Sequence, residues 1–328
     1  MEADLQIVEQ ALRSRIDFIG PDHENAFRLF NGFSEGLPGL VIDVYGRTLV
    51  LQDHTYGPRI QQTRIEEIAG LICYELGWLR AGIVKSRSSS LRSEQLGVLI
   101  FGDQIDRRIR EHGIGYALDL RLNKDTSFYL DTRNLRKWLQ ANMSGMSVLN
   151  AFAYTGSLGL AARSGGASRV VHLDRNHKFL NLAKESYELN KFPVHSADFL
   201  VSDFFRTAGK FRRSDQTFDC VILDPPFFSS TAGGRVNQTR DYAQLINKVR
   251  PLVKDGGHLL AINNALYVSG NDYMRSLDNL CAEGYLKISE LIPIPDDCRG
   301  THVTGTPPSD PSPFNHSTKI AILQVSRK

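Results

Sequence analysis

The chain has 328 residues, of which 41% are hydrophobic and 23% are charged. This composition excludes a disordered chain, a collagen and a small disulfide scaffold, and the length predicts two domains. Lysine and arginine together number 39 and aspartate and glutamate 36, so the formal net charge is only +3. That balance is compatible with nucleic-acid binding but does not require it.

Neither the first residues nor the cysteines indicate export. The amino-terminal segment is amphipathic and lacks the apolar run of a signal peptide, and no run of about 18 apolar residues predicts a membrane span. We therefore expect a cytoplasmic protein with no membrane partner. No CxxC pair occurs, so we expect reduced thiols and no metal site. The four cysteines are Cys73, Cys220, Cys281 and Cys298.

The first 120 residues predict a helix followed by a small α+β region. Apolar residues recur at helical spacing over 3–19. The segment 86–97 is polar and predicts a loop. A second helix is predicted over 59–76, and strands are predicted at 27–31, 40–44, 48–53, 82–86 and 114–120.

From about residue 145, strands and helices alternate, which indicates a parallel sheet with helices on both faces. The predicted strands are 147–152, 169–174, 199–202, 218–224 and 257–263, and the helices are 132–141, 157–164, 177–190, 239–253 and 271–283. Two last strands, 285–292 and 319–325, have no helix between them and predict an antiparallel ending. The fold class is α/β, with an amino-terminal helix at 1–22, a smaller α+β domain at 23–122 and a larger domain at 123–328.

Three motifs follow predicted parallel strands, where ligands bind in open α/β sheets. The small-residue turn at 150–157 allows the backbone to approach a ligand, although it also suits a plain strand-to-helix turn. Asp174 lies where a carboxylate accepts ribose hydroxyls, with a helix cap as the alternative. Asp203 suits an adenine amine, with Phe204 on the ring face, but for this residue alone a capping or loop aspartate is the better interpretation.

The fourth motif, Asp224-Pro225-Pro226-Phe227-Phe228, follows the apolar strand FDCVIL. Two prolines fix the loop and its carbonyls. An aspartate and a carbonyl together hold an amine or a base edge, and an aromatic ring stacks on an extruded base. This combination favours a functional loop over a rigid turn.

Several stretches resemble class I S-adenosylmethionine (AdoMet)-dependent methyltransferases, in particular bacterial 23S rRNA methyltransferases that modify cytosine C5 or guanine N7. They are FYLDTRNLR (128–136), LNAFAYTGSLGLAA (149–162), VVHLDRN (170–176), YELNK (187–191) and DPPFFSS (224–230). The segment FRLFNGFSEGLPGL (27–40) is also similar to that family, so the resemblance covers nearly the whole chain after residue 25. Many relatives carry an amino-terminal PUA domain, and because only the helix predicted over 3–19 precedes the strand-rich region of this sequence, we expect no PUA domain.

The resemblance implies a Rossmann-like seven-stranded methyltransferase sheet with an antiparallel last strand over 123–328, and AdoMet as cofactor. It implies cofactor contacts by Arg133, Asn150, Phe152, Tyr154, Thr155, Gly156, Asp174, Arg175, Asp203 and Phe204. Asp224, Pro225, Pro226 and Phe227 would be catalytic, and Phe228, Asn263 and Asn264 would contact the substrate. The partner would be RNA, either 23S rRNA or a ribosomal precursor, bound in part by the small domain. A homodimer, as many relatives form, is a further expectation.

Candidate phosphate contacts are Lys85, Arg87, Arg92, Arg235 and Arg240, each of which is otherwise an ordinary solvated charge. The proline-rich segment 293–316 predicts a loop that gates the substrate, with a disordered insertion as the alternative.

The methylated atom is predicted from the cysteines. Methylation at cytosine C5 needs a thiolate that adds to C6. The strand exit at 261–264 has no cysteine, Cys220 lies inside a strand, and Cys298 lies in the proline-rich tail. A nitrogen target is therefore favoured. A non-RNA substrate (DNA, a protein or a small molecule) and a non-catalytic RNA-binding assembly factor remain the alternatives.

Overall fold

The computed structural model describes residues 2–55, 60–300, 313–314 and 316–327, which form two compact units. The first contains the described residues up to Leu130 together with 295–300, and the second contains Asp131–Ile294 and the described residues from 313 onward. The domain limits at 22 and 122 stay predictions.

The helices and strands are numbered in chain order. The helices are α1 (Glu2–Ser14), α2 (Gly32–Glu35), α3 (Gln62–Glu75), α4 (Arg92–Leu96), α5 (Arg133–Asn142), α6 (Ser157–Ser164), α7 (His177–Leu189), α8 (Phe204–Arg213), α9 (Tyr242–Val249), α10 (Gly270–Cys281) and α11 (Asp296–Arg299). The strands are β1 (Ala26–Asn31), β2 (Leu40–Tyr45), β3 (Thr48–Asp53), β4 (Ala81–Ser86), β5 (Val98–Gly102), β6 (Arg108–Glu111), β7 (Ile114–Ala117), β8 (Ser147–Ala151), β9 (Arg169–Asp174), β10 (Phe199–Val201), β11 (Phe218–Leu223), β12 (Phe228–Thr231), β13 (Gly234–Asn237), β14 (Val253–Asn263), β15 (Leu286–Leu291) and β16 (Lys319–Val325).

The first unit is built on a five-stranded sheet in the order β1-β2-β3-β4-β5. Neighbouring strands are antiparallel except β3 and β4, which are parallel and are connected by α3. A crossover helix is the usual connection between parallel strands. α1 and α3 contribute their apolar faces to one core, which contains Val8, Leu12, Ile65, Ile68 and Ile72.

Two predictions for the first unit were wrong. The polar segment 86–97 contains α4, and β5 and β6 follow it. Lys85 is buried in β4, and its ammonium group donates to the carbonyls of Leu120, Asn123 and Asp125 at 2.6–2.8 Å. This lysine therefore stabilises the segment around residue 123, and it is not placed to contact a phosphate.

The position of Cys298 also corrects the sequence analysis. The cysteine lies in α11 and is buried against β1, where its carbonyl accepts from the Asn31 side chain at 2.9 Å. It is therefore part of the first unit and does not lie in an open tail. Most of the predicted gating segment, 301–312 and 315, lies outside the described residues.

The second unit is a seven-stranded sheet in the order β10-β9-β8-β11-β14-β16-β15. Strands β8–β11 and β14 are mutually parallel, and β16 is antiparallel to both β14 and β15. The predicted α/β class and antiparallel ending are confirmed. Strand order reverses between β8 and β11, so the carboxyl ends of these two strands form the crevice where open α/β sheets bind ligands.

Helix α8 and the β12–β13 hairpin were not predicted from the sequence. α8 buries Phe204, Thr207, Ala208 and Phe211, which is the spacing of an amphipathic helix, and Asp203 caps its first turn. Among the residues that the structure describes, each helix is too short or too polar to span a bilayer.

Candidate functional site

The turn after β8 has a strained backbone. Phe152, Tyr154 and Gly156 all have left-handed φ angles, of 57°, 50° and 76°. Non-glycine residues adopt this conformation rarely, and such turns cluster at ligand sites. Gly156 also lacks space for a side chain, since an added Cβ would lie 2.6 Å from the Cβ of Ala183. The turn therefore approaches α7 closely.

Asp174, at the end of β9, fixes this turn. One carboxylate oxygen accepts from the Tyr154 amide at 2.9 Å, and the other accepts from the Asn176 amide at 2.8 Å. Burial raises the pKa of Asp174, and these amides oppose the rise. The cap of α7 is Asn176, so Asp174 does not have the predicted alternative role. Its carboxylate is held where it can also accept hydroxyl groups. Arg175, the next residue, is exposed.

Asn150 lies inside the sheet and away from the crevice. It is buried on β8, and its side-chain nitrogen lies 3.4 Å from Nδ1 of His172 on β9. The other ring nitrogen of His172 lies 2.9 Å from the Tyr187 hydroxyl, and burial lowers the pKa of this histidine to about 3. Asn150, His172 and Tyr187 thus form a buried polar cluster that supports the turn. Thr155 is buried as well.

A narrow cleft opens between the ends of β8, β9 and β10. The Phe152 and Phe204 rings are in contact, with centroids 4.5 Å apart and planes inclined at 32°, and form its apolar side. The residues that line it are Phe152, Leu173, Asp174, Arg175, Ser202, Asp203, Phe204, Phe205, Ser229 and Thr231. Two carboxylates and two aromatic rings are a suitable set for a nucleoside, with the acids for its hydroxyl and amino groups and the rings for its base.

Asp203 has the capping role considered for it, and its contact with an adenine amine stays a prediction. Its carboxylate accepts from the Arg206 amide at 3.0 Å, as a cap of α8, and it also lines the cleft. Burial acts to raise its pKa, but hydrogen bonds from the Thr231 hydroxyl and from two amides hold the pKa below its ordinary value. Asp203 is therefore an ionised acceptor in this cleft.

The β12–β13 hairpin covers part of the cleft, and the sequence analysis missed it. An added Cβ on Gly233 would lie 2.3 Å from Oδ1 of Asp203, and one on Gly234 would lie 2.7 Å from the Phe205 ring. The Ala-Gly-Gly sequence at 232–234, which forms the turn and begins β13, was an available hairpin signal. Ser229 and Thr231 reach the cleft only because this hairpin folds over it.

The DPPFF loop (224–228) follows β11 on the other side of the crevice. Asp224 is partly buried, and burial together with the negative charge of Asp131 raises its pKa to about 7. The Pro225 carbonyl accepts from the side-chain amide of Gln238. Phe227 and Phe228 are 46% and 55% exposed, an unusual state for rings beside a buried strand.

The NNALY loop (263–267) follows β14, the next strand of the sheet. Asn263 is buried, with its side chain hydrogen-bonded to the Gln238 carbonyl at 3.4 Å and to the Ala265 amide at 3.0 Å. Asn264 is exposed. Leu266 and Tyr267 are 72% and 82% exposed and were not singled out in the sequence. Of the two asparagines, Asn264 is the one whose side chain faces solvent.

Six other predicted residues have the following positions. Arg133 begins α5, and Pro226 is exposed within the DPPFF loop. Arg235, on β13, lies over the Phe228 ring with its guanidinium carbon 5.7 Å from the ring centroid, and it lies 4.0 Å from the Asp241 carboxylate. Arg240 is exposed. In the first unit, Arg87 pairs with Asp125 and Arg92 is exposed.

Residues 91–287 match the S-adenosylmethionine-dependent methyltransferase family. The chain belongs to this family. The resemblance drawn from the sequence is confirmed, and so is AdoMet as the cofactor of the family.

Curated relatives of this methyltransferase are named ribosomal RNA large subunit methyltransferase I. The protein from Photobacterium profundum is 34% identical over 254 residues, which cover 76% of this chain and 63% of the relative. The protein from Escherichia coli is 29% identical over 257 residues, which cover 78% of this chain and 65% of the relative. The matched region thus spans less than two thirds of the length of these relatives.

Solved structures share the fold. SMU.776, a methyltransferase crystallised as a complex with SAH, superposes with a TM-score of 0.85 at 22% identity, covering 98% of this chain and 80% of that one. A SAM-dependent methyltransferase from Streptococcus mutans gives a TM-score of 0.83 at 21% identity over the same shares.

The cofactor of the family fits the residues of the cleft. AdoMet contains an adenosine group, and the cleft offers carboxyl groups at the ends of two adjacent strands together with the Phe152 and Phe204 rings. Asp174 would hold the ribose, and Asp203 and Phe204 would hold the adenine.

Proposed function

We propose that this methyltransferase transfers a methyl group from AdoMet to a nitrogen atom on a base of RNA, with 23S ribosomal RNA as the substrate. The single observation that carries the proposal is the pairing of two features on one sheet edge. The cofactor cleft ends at the turn after β8, and the DPPFF loop leaves the adjacent strand β11, paired to β8 up to Leu223. A base on the DPPFF loop would therefore lie next to the methyl donor.

The relatives support RNA as the substrate, because their names specify ribosomal RNA of the large subunit. The exposed aromatic side chains give a physical reason for it. Phe227 and Phe228 on one loop, and Tyr267 on the next, are exposed to solvent at the site. Aromatic rings in such positions stack on unpaired bases, at about 1–3 kcal/mol per base.

The chemistry on the protein side is mainly positioning. When bound, AdoMet supplies an electrophilic methyl group carried on a positively charged sulfur. A lone pair on the base nitrogen forms the new bond to that carbon as the carbon–sulfur bond breaks, so the two groups must be held in line. The DPPFF loop holds the base by stacking, and the side chain of Asn264 is placed to contact its edge.

Asp224 is placed to act on the developing charge. The base becomes more positive as its nitrogen is methylated, and an ionised carboxylate stabilises that charge. Where the acceptor is an amine, the same carboxylate would take up the proton that the nitrogen loses. Both roles require ionised Asp224, and its pKa of about 7 makes that state dependent on pH near neutrality.

The cysteines support nitrogen as the target. Methylation at C5 needs an accessible thiolate. Cys220 is completely buried within β11, and burial raises its pKa well above the ordinary value. Cys281 lies on α10 with a pKa also raised by burial, and Cys73 and Cys298 belong to the first unit. None of the four cysteines follows β11 or β14, the strands that carry the acceptor loops.

The first unit is proposed to contribute to RNA binding. Arg108 and Arg110 alternate with buried residues on β6, so both guanidinium groups lie on one exposed face of this strand. Arg92, on α4, is exposed as well. Arginines in such positions bind phosphates without regard to sequence, and the binding weakens with rising salt.

The test is methyl transfer from radiolabelled AdoMet to deproteinised rRNA, assembled ribosomal subunits, DNA and total protein. We expect label in rRNA or in subunits, and loss of it in Asp224→Ala. Label confined to DNA or protein would contradict the RNA substrate. Cofactor binding without any transfer would instead support a non-catalytic role.

A further inference from the structure

Gln238 connects the two loops of the acceptor site. It follows β13 and is only 1% exposed, although glutamine is usually a surface residue. Its side-chain amide donates to the Pro225 carbonyl in the DPPFF loop. Its side-chain oxygen accepts from the Asn264 amide in the NNALY loop at 3.0 Å. One buried amide group therefore satisfies a backbone acceptor in one loop and a backbone donor in the other.

The backbone of Gln238 repeats the connection. Its amide donates to the Phe227 carbonyl at 3.1 Å, and its carbonyl accepts from the Asn263 side chain at 3.4 Å. Each loop is thus bonded to Gln238 by one side-chain contact and one backbone contact. The glutamine belongs to neither loop, so it acts as a bridge between them.

This bridge begins where the sheet ladder ends. The pairing of β11 with β14 stops at Leu223 and Ala261. β11 ends there, whereas β14 continues to Asn263 against β16 before its own loop begins. Beyond that point the strand hydrogen bonds no longer fix the separation of the loops. The contacts of Gln238 with Pro225 and Asn264 lie immediately outside the last paired residues, which is where such a constraint is needed.

We propose that Gln238 is a positioning residue for methyl transfer, which sets the separation and orientation of the two loops that hold the acceptor base. This inference rests on the proposed function. A base stacked on Phe227 and contacted by Asn264 has its position set by both loops. A displacement of about 1 Å of a reacting group costs on the order of 100-fold in rate. Gln238 does not contact the acids of the proposed AdoMet cleft, so its loss should leave AdoMet binding unchanged. The effect is therefore expected in kcat.

The first test is a pair of variants. Gln238→Met keeps the length of the side chain but removes both hydrogen-bonding groups. We expect kcat for RNA methylation to fall about 100-fold, with the Kd for AdoMet within about twofold of the wild type. Gln216→Met, at the opposite edge of the sheet, is the matched control and should keep wild-type kcat. A wild-type kcat in Gln238→Met would overturn the inference.

The second variant separates positioning from a general structural role. Gln238→Glu keeps the acceptor for the Asn264 amide but loses the donor to Pro225 at high pH. Protonation of the new carboxyl restores an O–H donor, so we expect the ratio of variant to wild-type kcat to rise by about tenfold from about pH 8 to about pH 6. A ratio that does not change with pH would contradict the hydrogen-bond role.

A third measurement does not depend on RNA activity. Amide hydrogen exchange in Gln238→Met should increase by about tenfold or more in 224–230 and 262–268, while exchange in the cofactor turn at 150–157 stays unchanged. Unchanged exchange in the two loops would overturn the inference. Hydrogen exchange needs no substrate, so the two proposals can fail separately. A wild-type enzyme that does not methylate RNA would refute the proposed function, and the exchange measurement would still decide whether Gln238 orders the two loops.

Discussion

Asp224 is partly buried beside the carboxylate of Asp131, and burial together with this negative charge raises the pKa of Asp224 to about 7. Asp131 is itself held in place, since it accepts from the Thr318 hydroxyl at 2.6 Å. A carboxyl group that titrates near neutrality is frequent at functional sites and rare elsewhere. The pair makes both the stability and the activity of the protein depend on pH.

The stability of the fold is expected to fall as pH rises. An unfolded aspartate titrates near pKa 3.9, so between about pH 4 and about pH 7 the folded state holds a proton on Asp224 that the unfolded state lacks. The free energy of unfolding therefore decreases through this window by roughly 1–3 kcal/mol, and Asp224→Asn removes that decrease. Urea denaturation of both proteins across the window measures it. A wild-type pH profile identical to that of Asp224→Asn would contradict the raised pKa.

Methyl transfer is expected to increase with pH, with an apparent pKa near 7, because ionised Asp224 is the active form. Asp131→Asn removes the neighbouring negative charge and should lower that apparent pKa by about half a unit. The pH dependence of kcat/KM for RNA is the measurement. Asp198→Asn, which alters a carboxylate paired with Arg169 near the start of β9, is the control. An equal pKa in all three proteins would contradict the coupling.

Gly156→Ala is expected to destabilise the protein and to weaken AdoMet binding. The new methyl group meets Ala183 at 2.6 Å in a left-handed backbone, so strain and overpacking add to about 2–4 kcal/mol. Gly145→Ala is the matched control, because Gly145 has a similar φ of 74° but open space around it. It should cost only about 1–2 kcal/mol and leave the Kd for AdoMet unchanged. Equal effects at both positions would show that the close contact with α7 is unimportant.

Tyr267→Ala is expected to weaken RNA binding without affecting AdoMet. Loss of a stacking ring costs about 1–3 kcal/mol, or roughly 5- to 150-fold in KM for RNA. Tyr74→Ala is the control, since Tyr74 is 86% exposed on α3 and Tyr267 is 82% exposed. Steady-state kinetics with each substrate varied in turn separates the two affinities. If both variants keep the wild-type KM for RNA, the NNALY loop does not contact the base.

Much of the second unit could be predicted from the sequence, because its strands are continuous apolar runs. Ligands of open α/β sheets bind at the carboxyl ends of such strands, which indicated where the site residues lie. Asp174 and the DPPFF loop were found in this way, and both lie at the predicted sheet edge. The spacing of Phe204, Ala208 and Phe211 would also have indicated α8. Short polar elements such as α4 and β12 bury few apolar residues, so their patterns were too weak to read.

Other features arise only when distant segments meet. Gln238 is an ordinary polar residue in the sequence, and its role depends on Pro225 and Asn264 lying on adjacent strand exits. Lys85 was expected to contact phosphate because a lysine is usually exposed, but three carbonyls surround its ammonium group. Cys298 follows a proline-rich stretch, and its burial against β1 required the chain to return to the first unit.

The most direct test of the account identifies the methylated atom. RNA that has been methylated with deuterium-labelled AdoMet is digested to nucleosides, and the labelled nucleoside is identified by mass spectrometry. We predict a single base methylated on nitrogen, which disappears when Asp224→Ala replaces the wild type. Labelled 5-methylcytidine would contradict a nitrogen target, because methylation at C5 requires a cysteine thiolate and none of the cysteines lies on the loops that follow β11 and β14.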